Sequence, residues 1–136
     1  MGFLKKLFSK NQPDFDSIEG IRSIPIPKYS KINGLASPVD NIEYILQRKA
    51  TEHKKNGRMD LAIECLRKSN EIMPHSNFTW SASDYLRLVS YLKKDGQHEA
   101  ARLEYSALQK QFTRQTDKER CKAFGENNFP DKINSI

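Results

Sequence analysis

Between residues 42 and 112 the apolar residues recur at helical spacing, in four stripes separated by turn signals. Ile42, Ile45, Leu46, Ala50 and His53 make the first stripe, and Asn56-Gly57 follows where a left-handed residue would reverse the chain. Leu61, Ala62, Cys65, Leu66, Ser69 and Ile72 make the second, stopped by Pro74. Tyr85, Leu88, Val89 and Leu92 form the third, ended by Asp95-Gly96, and Ala101, Tyr105, Leu108 and Phe112 form the fourth. Shifting the sequence by 39 places lays Arg48 on Arg87, Thr51 on Ser90, Lys54-Lys55 on Lys93-Lys94, Gly57 on Gly96 and Ala62 on Ala101. A fixed self-similarity of this length predicts stacked helix pairs. The expectation is an all-α fold of two antiparallel helical hairpins.

The start signals are legible too. Ser37-Pro38-Val39-Asp40 reads as the cap and first turn of the first helix, and Ser81-Ala82-Ser83-Asp84 as those of the third. The connection before the third helix departs from a simple repeat, because it carries Phe78 and Trp80. Ahead of the hairpins, residues 11–37 hold Pro13, Pro25 and Pro27, with Gly20 and Gly34, which predicts an extended linker lying over the helices. Residues 1–10 interleave Phe3, Leu4, Leu7 and Phe8 with Lys5, Lys6 and Lys10, the pattern of a basic amphipathic segment. After Phe112, a short helix over 117–124 is closed by Gly125, and 126–136 reads as a flexible tail. The helical domain is thus placed at 38–125.

Composition narrows the function classes. The net charge is +6 in 136 residues, but the helical centre over 37–112 carries twelve basic against ten acidic groups. A nucleic-acid binder usually concentrates its basic residues more densely, so nucleic acid is disfavoured as a partner. The strongest strip for that reading is Lys54, Lys55, Arg58, Lys93 and Lys94. Cys65 and Cys121 have no second ligand nearby, Cys65 reading as a core thiol and Cys121 as a surface one. His53, His75 and His98 lack metal-ligand spacing, and His53 reads as a buried histidine with one hydrogen bond. Glu43, Glu52 and Glu64 read as solvated helix faces. There is no phosphate-binding loop, dinucleotide fingerprint or nucleophile elbow. The expectation is a non-enzymatic, cytoplasmic protein with no cofactor and no catalytic residue.

At this point the residues resemble the tetratricopeptide repeat family. Leu46, Ala50, Gly57, Ala62, Leu66, Ser69 and Pro74 occupy its signature positions in the first copy, and Tyr85, Gly96, Ala101, Tyr105 and Leu108 in the second. The period of 39 exceeds the family's, Val89 stands where a small residue is preferred, and Thr113 replaces the closing proline. The resemblance implies a scaffold that binds a protein or peptide in a groove lined by the first helix of each pair. Tyr44, Gln47, Arg48, Thr51 and Lys55 would face that groove from one copy, and Leu86, Arg87, Ser90 and Lys94 from the other. Arg48 stacked with Arg87 would suit a carboxylate or phosphate on an acidic partner. Phe78 and Trp80 offer a second candidate surface. Two hairpins leave apolar ends, to be covered by Phe124, by Phe3, Leu7, Ile24 or Ile26, or by a second copy in a homodimer. The alternatives to a scaffold are the lysine strip on nucleic acid and a peripheral membrane adaptor using residues 2–8.

Overall fold

The computed structural model describes residues 13–29 and 38–130. The amphipathic segment over 1–10, the cap at Ser37, Gly34 and the tail from 131 onward lie outside the described residues. Within them, the chain is all-α: α1 (Ile18–Arg22), α2 (Ile42–Lys55), α3 (Met59–Ile72), α4 (Ala82–Lys94), α5 (His98–Gln111) and α6 (Gln115–Asn128). Short 3₁₀ turns at Pro38–Asp40 and Met73–His75 precede α2 and follow α3.

Helix α2 pairs with α3 and α4 with α5, α3 joins the pairs, and α6 packs on both α4 and α5. Gly57 and Gly96 turn the two hairpins with φ of 74° and 80°, a region that only glycine enters without strain. Ala62 and Ala101 are fully buried where the paired helices approach, beside Leu46, Leu66, Leu88 and Leu92. A larger side chain at either place would hold the helices apart. Ala62→Leu and Ala101→Leu are each expected to cost about 1–3 kcal/mol by overpacking. Urea melts in which both variants match the parent would contradict this packing.

Six local expectations change. The linker is not extended throughout: Ser17 caps α1 by accepting the Gly20 N–H at 3.0 Å, and Ile21 and Ile24 are buried. Arg22 reaches Glu64 on α3 through two hydrogen bonds of 2.7 and 3.2 Å, so Glu64 is a partner and not merely a solvated carboxylate. Ile26 remains exposed. Pro38 opens a 3₁₀ turn rather than α2, and Asn41 stands at the cap of that helix. Glycine 125 does not end the last helix. It lies inside α6, because the Tyr105 ring from α5 passes where a Cβ would stand. Phe129, expected in the loose tail, packs at 5.2 Å from Tyr105. Cys121 is buried with it rather than on the surface, and burial raises its thiol pKa. Cys65 is buried as expected, and burial pushes its thiol up to about 12.

Both ends of the helical stack are therefore covered by the chain itself, one by α1 with Ile24 and the other by α6 with Phe124 and Phe129. Leu103 on α5 stays exposed. His53 sits as read: buried, its Nε2–H donating to the Phe15 carbonyl at 2.8 Å. Among the described residues no helix is long and apolar enough to cross a membrane.

Candidate functional site: a basic cleft between the third and last long helices

Helix α4 presents Ser83, Leu86, Arg87, Ser90 and Tyr91 along one face, at the i, i+3, i+4 spacing that aligns side chains on a helix. Helix α6 faces them with Arg120, Ala123 and Phe124, and the two rows enclose a cleft of about 340 Å³. Its floor is apolar, and its charged members are both arginines. The parts of this wall are held firmly. Ser81 and Asp84 form a capping box that starts α4, the Ser81 N–H donating to Asp84 at 3.0 Å. Asp117, in the first turn of α6, accepts the Ala82 N–H at 3.0 Å and the Arg114 guanidinium at 2.7 Å. Burial alone would raise the Asp117 pKa, but these donors more than offset it and hold the carboxyl below the usual range. One carboxylate thus ties the beginnings of α4 and α6 together. Lys93 does the same at the far end by donating to the Asn128 carbonyl at 2.8 Å, where a helix exposes unpaired acceptors.

Helix α2 joins the site through side chains. Arg87 donates to Thr51 Oγ1 at 2.9 Å, to Tyr91 Oη at 3.1 Å and to the Gln47 carbonyl at 3.5 Å. Its guanidinium lies 5.6 Å from the centre of the Tyr91 ring, and the Lys54 ammonium 5.0 Å from the same ring. The Lys54 charge lowers the pKa of Lys94.

Of the residues expected in the groove, the structure brings Thr51, Arg87 and Ser90 together, and Lys94 stays exposed at the end of α4. Leu86 forms part of the cleft floor and is largely buried. Lys55 and Arg48 remain exposed on α2, but Arg87 turns onto Thr51 and Tyr91 instead of stacking with Arg48 as a paired donor. Gln47 is corrected. It is 6% exposed and its amide donates to Ser69 Oγ at 3.2 Å and Met73 Sδ at 3.4 Å, inside the first hairpin. Lys93 leaves the supposed lysine strip for the end of α6, which breaks the line of phosphate-binding candidates. Lys54, Tyr91 and Arg120 complete the cluster. Tyr91 was hidden because its aromatic ring suits a core stripe equally well, and Arg120 because α6 has little apolar periodicity to show which face packs.

The second candidate surface is also corrected. Trp80 is only 8% exposed, and its indole N–H donates to Glu43 Oε2 at 3.0 Å. Glu43 itself is fully buried rather than solvated. It accepts further bonds from Tyr29 Oη at 2.6 Å and Asn41 Nδ2 at 3.2 Å, and Ser76 adds another. Burial would raise its pKa, yet the Ser76, Tyr29 and Trp80 hydrogen bonds outweigh that and keep the carboxyl below its ordinary range. Tyr44 stacks on Trp80 at 6.4 Å between ring centres, and Phe78 meets it edge-on at 4.7 Å. Trp80 is a structural pin, with Phe78 its exposed cover.

No family model, curated protein or solved structure matches this chain. Among the described residues no group of three or more histidine, cysteine, aspartate or glutamate side chains is placed to hold a metal ion.

Proposed function

We propose that this chain is a non-enzymatic, tetratricopeptide-like interaction module that takes an extended acidic segment of a partner protein along the face made by α2, α4 and α6. The observation that carries the reading is the cleft between α4 and α6, whose apolar lining of Leu86 and Phe124, with Ala123 at its rim, is flanked by Arg87 and Arg120. Apolar side chains of a partner would enter the cleft, and its carboxylates would meet the arginines. Short helix connections and the Asp117 and Lys93 ties keep that face preformed, which limits the entropy lost on binding. The 39-residue recurrence of the turn glycines and the buried alanines supports the repeat reading.

The test is fluorescence anisotropy with a labelled peptide of alternating Asp, Glu and Leu residues and the full chain. Binding is expected to weaken as salt rises, because exposed charges attract over about 10 Å at 0.1 M ionic strength. Ala123→Arg, which fills the cleft from its exposed rim, and Arg120→Glu, which reverses one flank, should each weaken capture about tenfold, a change of about 1.4 kcal/mol. Ala123→Arg should leave the melting temperature nearly unchanged, since Ala123 is exposed, while Arg120→Glu should lower it slightly, because Arg120 donates to Ser83 Oγ at 2.8 Å and its charge favours the Asp117 carboxylate. Capture unchanged in both variants would remove the partner from this face.

A further inference from the structure

We infer that the partner segment carries an acidic residue, an apolar residue and a second acidic residue at alternate positions of an extended chain. The apolar side chain sits in the cleft, and each carboxylate meets one arginine. The inference rests on the groove reading above and adds the register of its ligand.

Both arginines are fixed, and at different levels of α4. Arg120 reaches across from α6 to the first turn of α4, where its Nη1–H donates to Ser83 Oγ at 2.8 Å. Arg87 is held farther along, by Thr51 of α2 and by the Tyr91 hydroxyl. Ser83 and Tyr91 are eight residues apart on one helix, which is about 12 Å along its axis. Long helical side chains lean back towards the start of their helix, so roughly 10 Å separates the two guanidinium groups. Leu86, Ser90 and Phe124 lie between them, and no residue lining the cleft is acidic. Among the described residues neither arginine is ion-paired within salt-bridge distance. Asp117 feels the Arg120 charge, but its two oxygens are taken by the Ala82 N–H and by Arg114. Each guanidinium has five N–H groups, and both keep some of them for a ligand.

That separation sets the register. Side chains of an extended chain alternate, so positions i, i+2 and i+4 share one face at steps of about 7 Å. An apolar residue at i+2 enters the cleft of about 340 Å³. Acids at i and i+4 then stand about 13 Å apart at the backbone, and glutamate side chains lean inward to close the difference. Acids placed directly beside the apolar residue would point away from the protein. The Ser83 and Ser90 hydroxyls in the cleft suit the unpaired N–H and C=O groups of an extended backbone, groups that a helix satisfies internally. Two cations parted by apolar side chains do not follow the closely repeated charges of a nucleic acid, and the lysine line breaks where Lys93 turns to Asn128.

The test uses the intact chain and labelled Gly-Ser peptides that differ only at their centres. One holds Glu-Ser-Leu-Ser-Glu and a second, of the same composition, Ser-Glu-Leu-Glu-Ser. A third spaces Glu, Leu and Glu at i, i+3 and i+7, as one face of a helix would, and a fourth replaces the leucine of the first by serine. The first should bind at least about tenfold more tightly than each of the others. Replacing either of its glutamates by glutamine should weaken binding to the parent. With the Arg120→Gln chain, that replacement should lose its effect at one end of the peptide and keep it at the other, a coupling that mere loss of structure would not produce. Equal binding of the first two peptides, both lost in Ala123→Arg, would overturn the register and leave the groove reading standing. Tightest binding of the third would overturn it in favour of a helical ligand. Two glutamates that both still matter in Arg120→Gln would also overturn it, since neither would then pair with Arg120. A thymidine oligonucleotide that displaces the first peptide would overturn it in favour of a nucleic acid. Binding of no peptide would overturn both readings.

Discussion

Replacing Glu43 with alanine is expected to destabilise the fold by about 3 kcal/mol or more, the largest effect of any single side chain described above. Glu43 is an acid on the buried face of α2, and its two oxygens gather Tyr29 from the N-terminal segment, Asn41 from the helix cap and Trp80 from the connection before α4. Removing it strands the indole N–H, which has no acceptor of its own to offer, and leaves the Asn41 amide with Ser76 and Asn77. Each buried donor that loses its acceptor costs about 1–3 kcal/mol. Tyr29 still accepts the Ile42 N–H at 3.1 Å but loses its anchor, so residues 24–29 should exchange amide protons faster. The expected fall in melting temperature is on the order of 10–20 °C.

Acid should reproduce part of this. Because the folded-state pKa of Glu43 lies below its ordinary value, the unfolded chain binds that proton more readily. The stabilisation is complete above the unfolded carboxylate pKa of about 4.3 and is lost as pH falls through the lower folded value. Glu43→Gln keeps the volume and removes the charge, so its stability should vary less over that range than the parent's. Urea midpoints from pH 3 to 7 would show it. A parent and Glu43→Gln with the same pH profile, or an alanine variant as stable as the parent, would contradict the central role of this carboxylate.

Gly125→Ala is the second large effect, and here the direction is informative. In an ordinary exposed helix that change stabilises by about 0.5–1 kcal/mol. At this place the new Cβ would fall on the Tyr105 hydroxyl, which is buried and donates to the Cys121 carbonyl at 2.8 Å. The ring has little room to retreat, since Phe124 and Phe129 lie 6.0 and 5.2 Å from it. Either the hydrogen bond breaks or α6 lifts from α5, at a cost of about 2–3 kcal/mol. Lifting α6 also opens one wall of the cleft, so peptide capture should weaken in step. Tyr105→Phe removes the hydroxyl and should restore part of the loss in the double variant, a coupling expected of residues in contact. Urea denaturation in which Gly125→Ala gains stability would show that this contact does not hold the helix.

The two hairpins were legible in the sequence because helical spacing reports directly on burial. Leu46, Ala50, Ala62, Leu66, Leu88, Leu92 and Ala101 read as core from periodicity, and each is buried. The turns at Gly57 and Gly96 follow from a backbone geometry that few other residues tolerate. Glu43 marks where that kind of reading fails. It stands three, seven and ten residues before Leu46, Ala50 and His53, squarely on the buried stripe, yet a carboxylate is ordinarily solvated. Only its donors, brought from 14 residues upstream and 37 downstream, make burial favourable. Gln47 turned inward for a similar reason, because Ser69 of α3 and Met73 in the turn after it offer its amide partners that water would otherwise supply. Gly125 looked like a helix stop because glycine is commonest there, and only the Tyr105 ring explains why it lies mid-helix. By itself, then, the sequence determined the helices, their turns and the small residues at their crossings, all set by local conformation and by which face avoids water. Tertiary structure decided which polar groups are buried and which cations converge on Tyr91, because those depend on partners supplied by other helices.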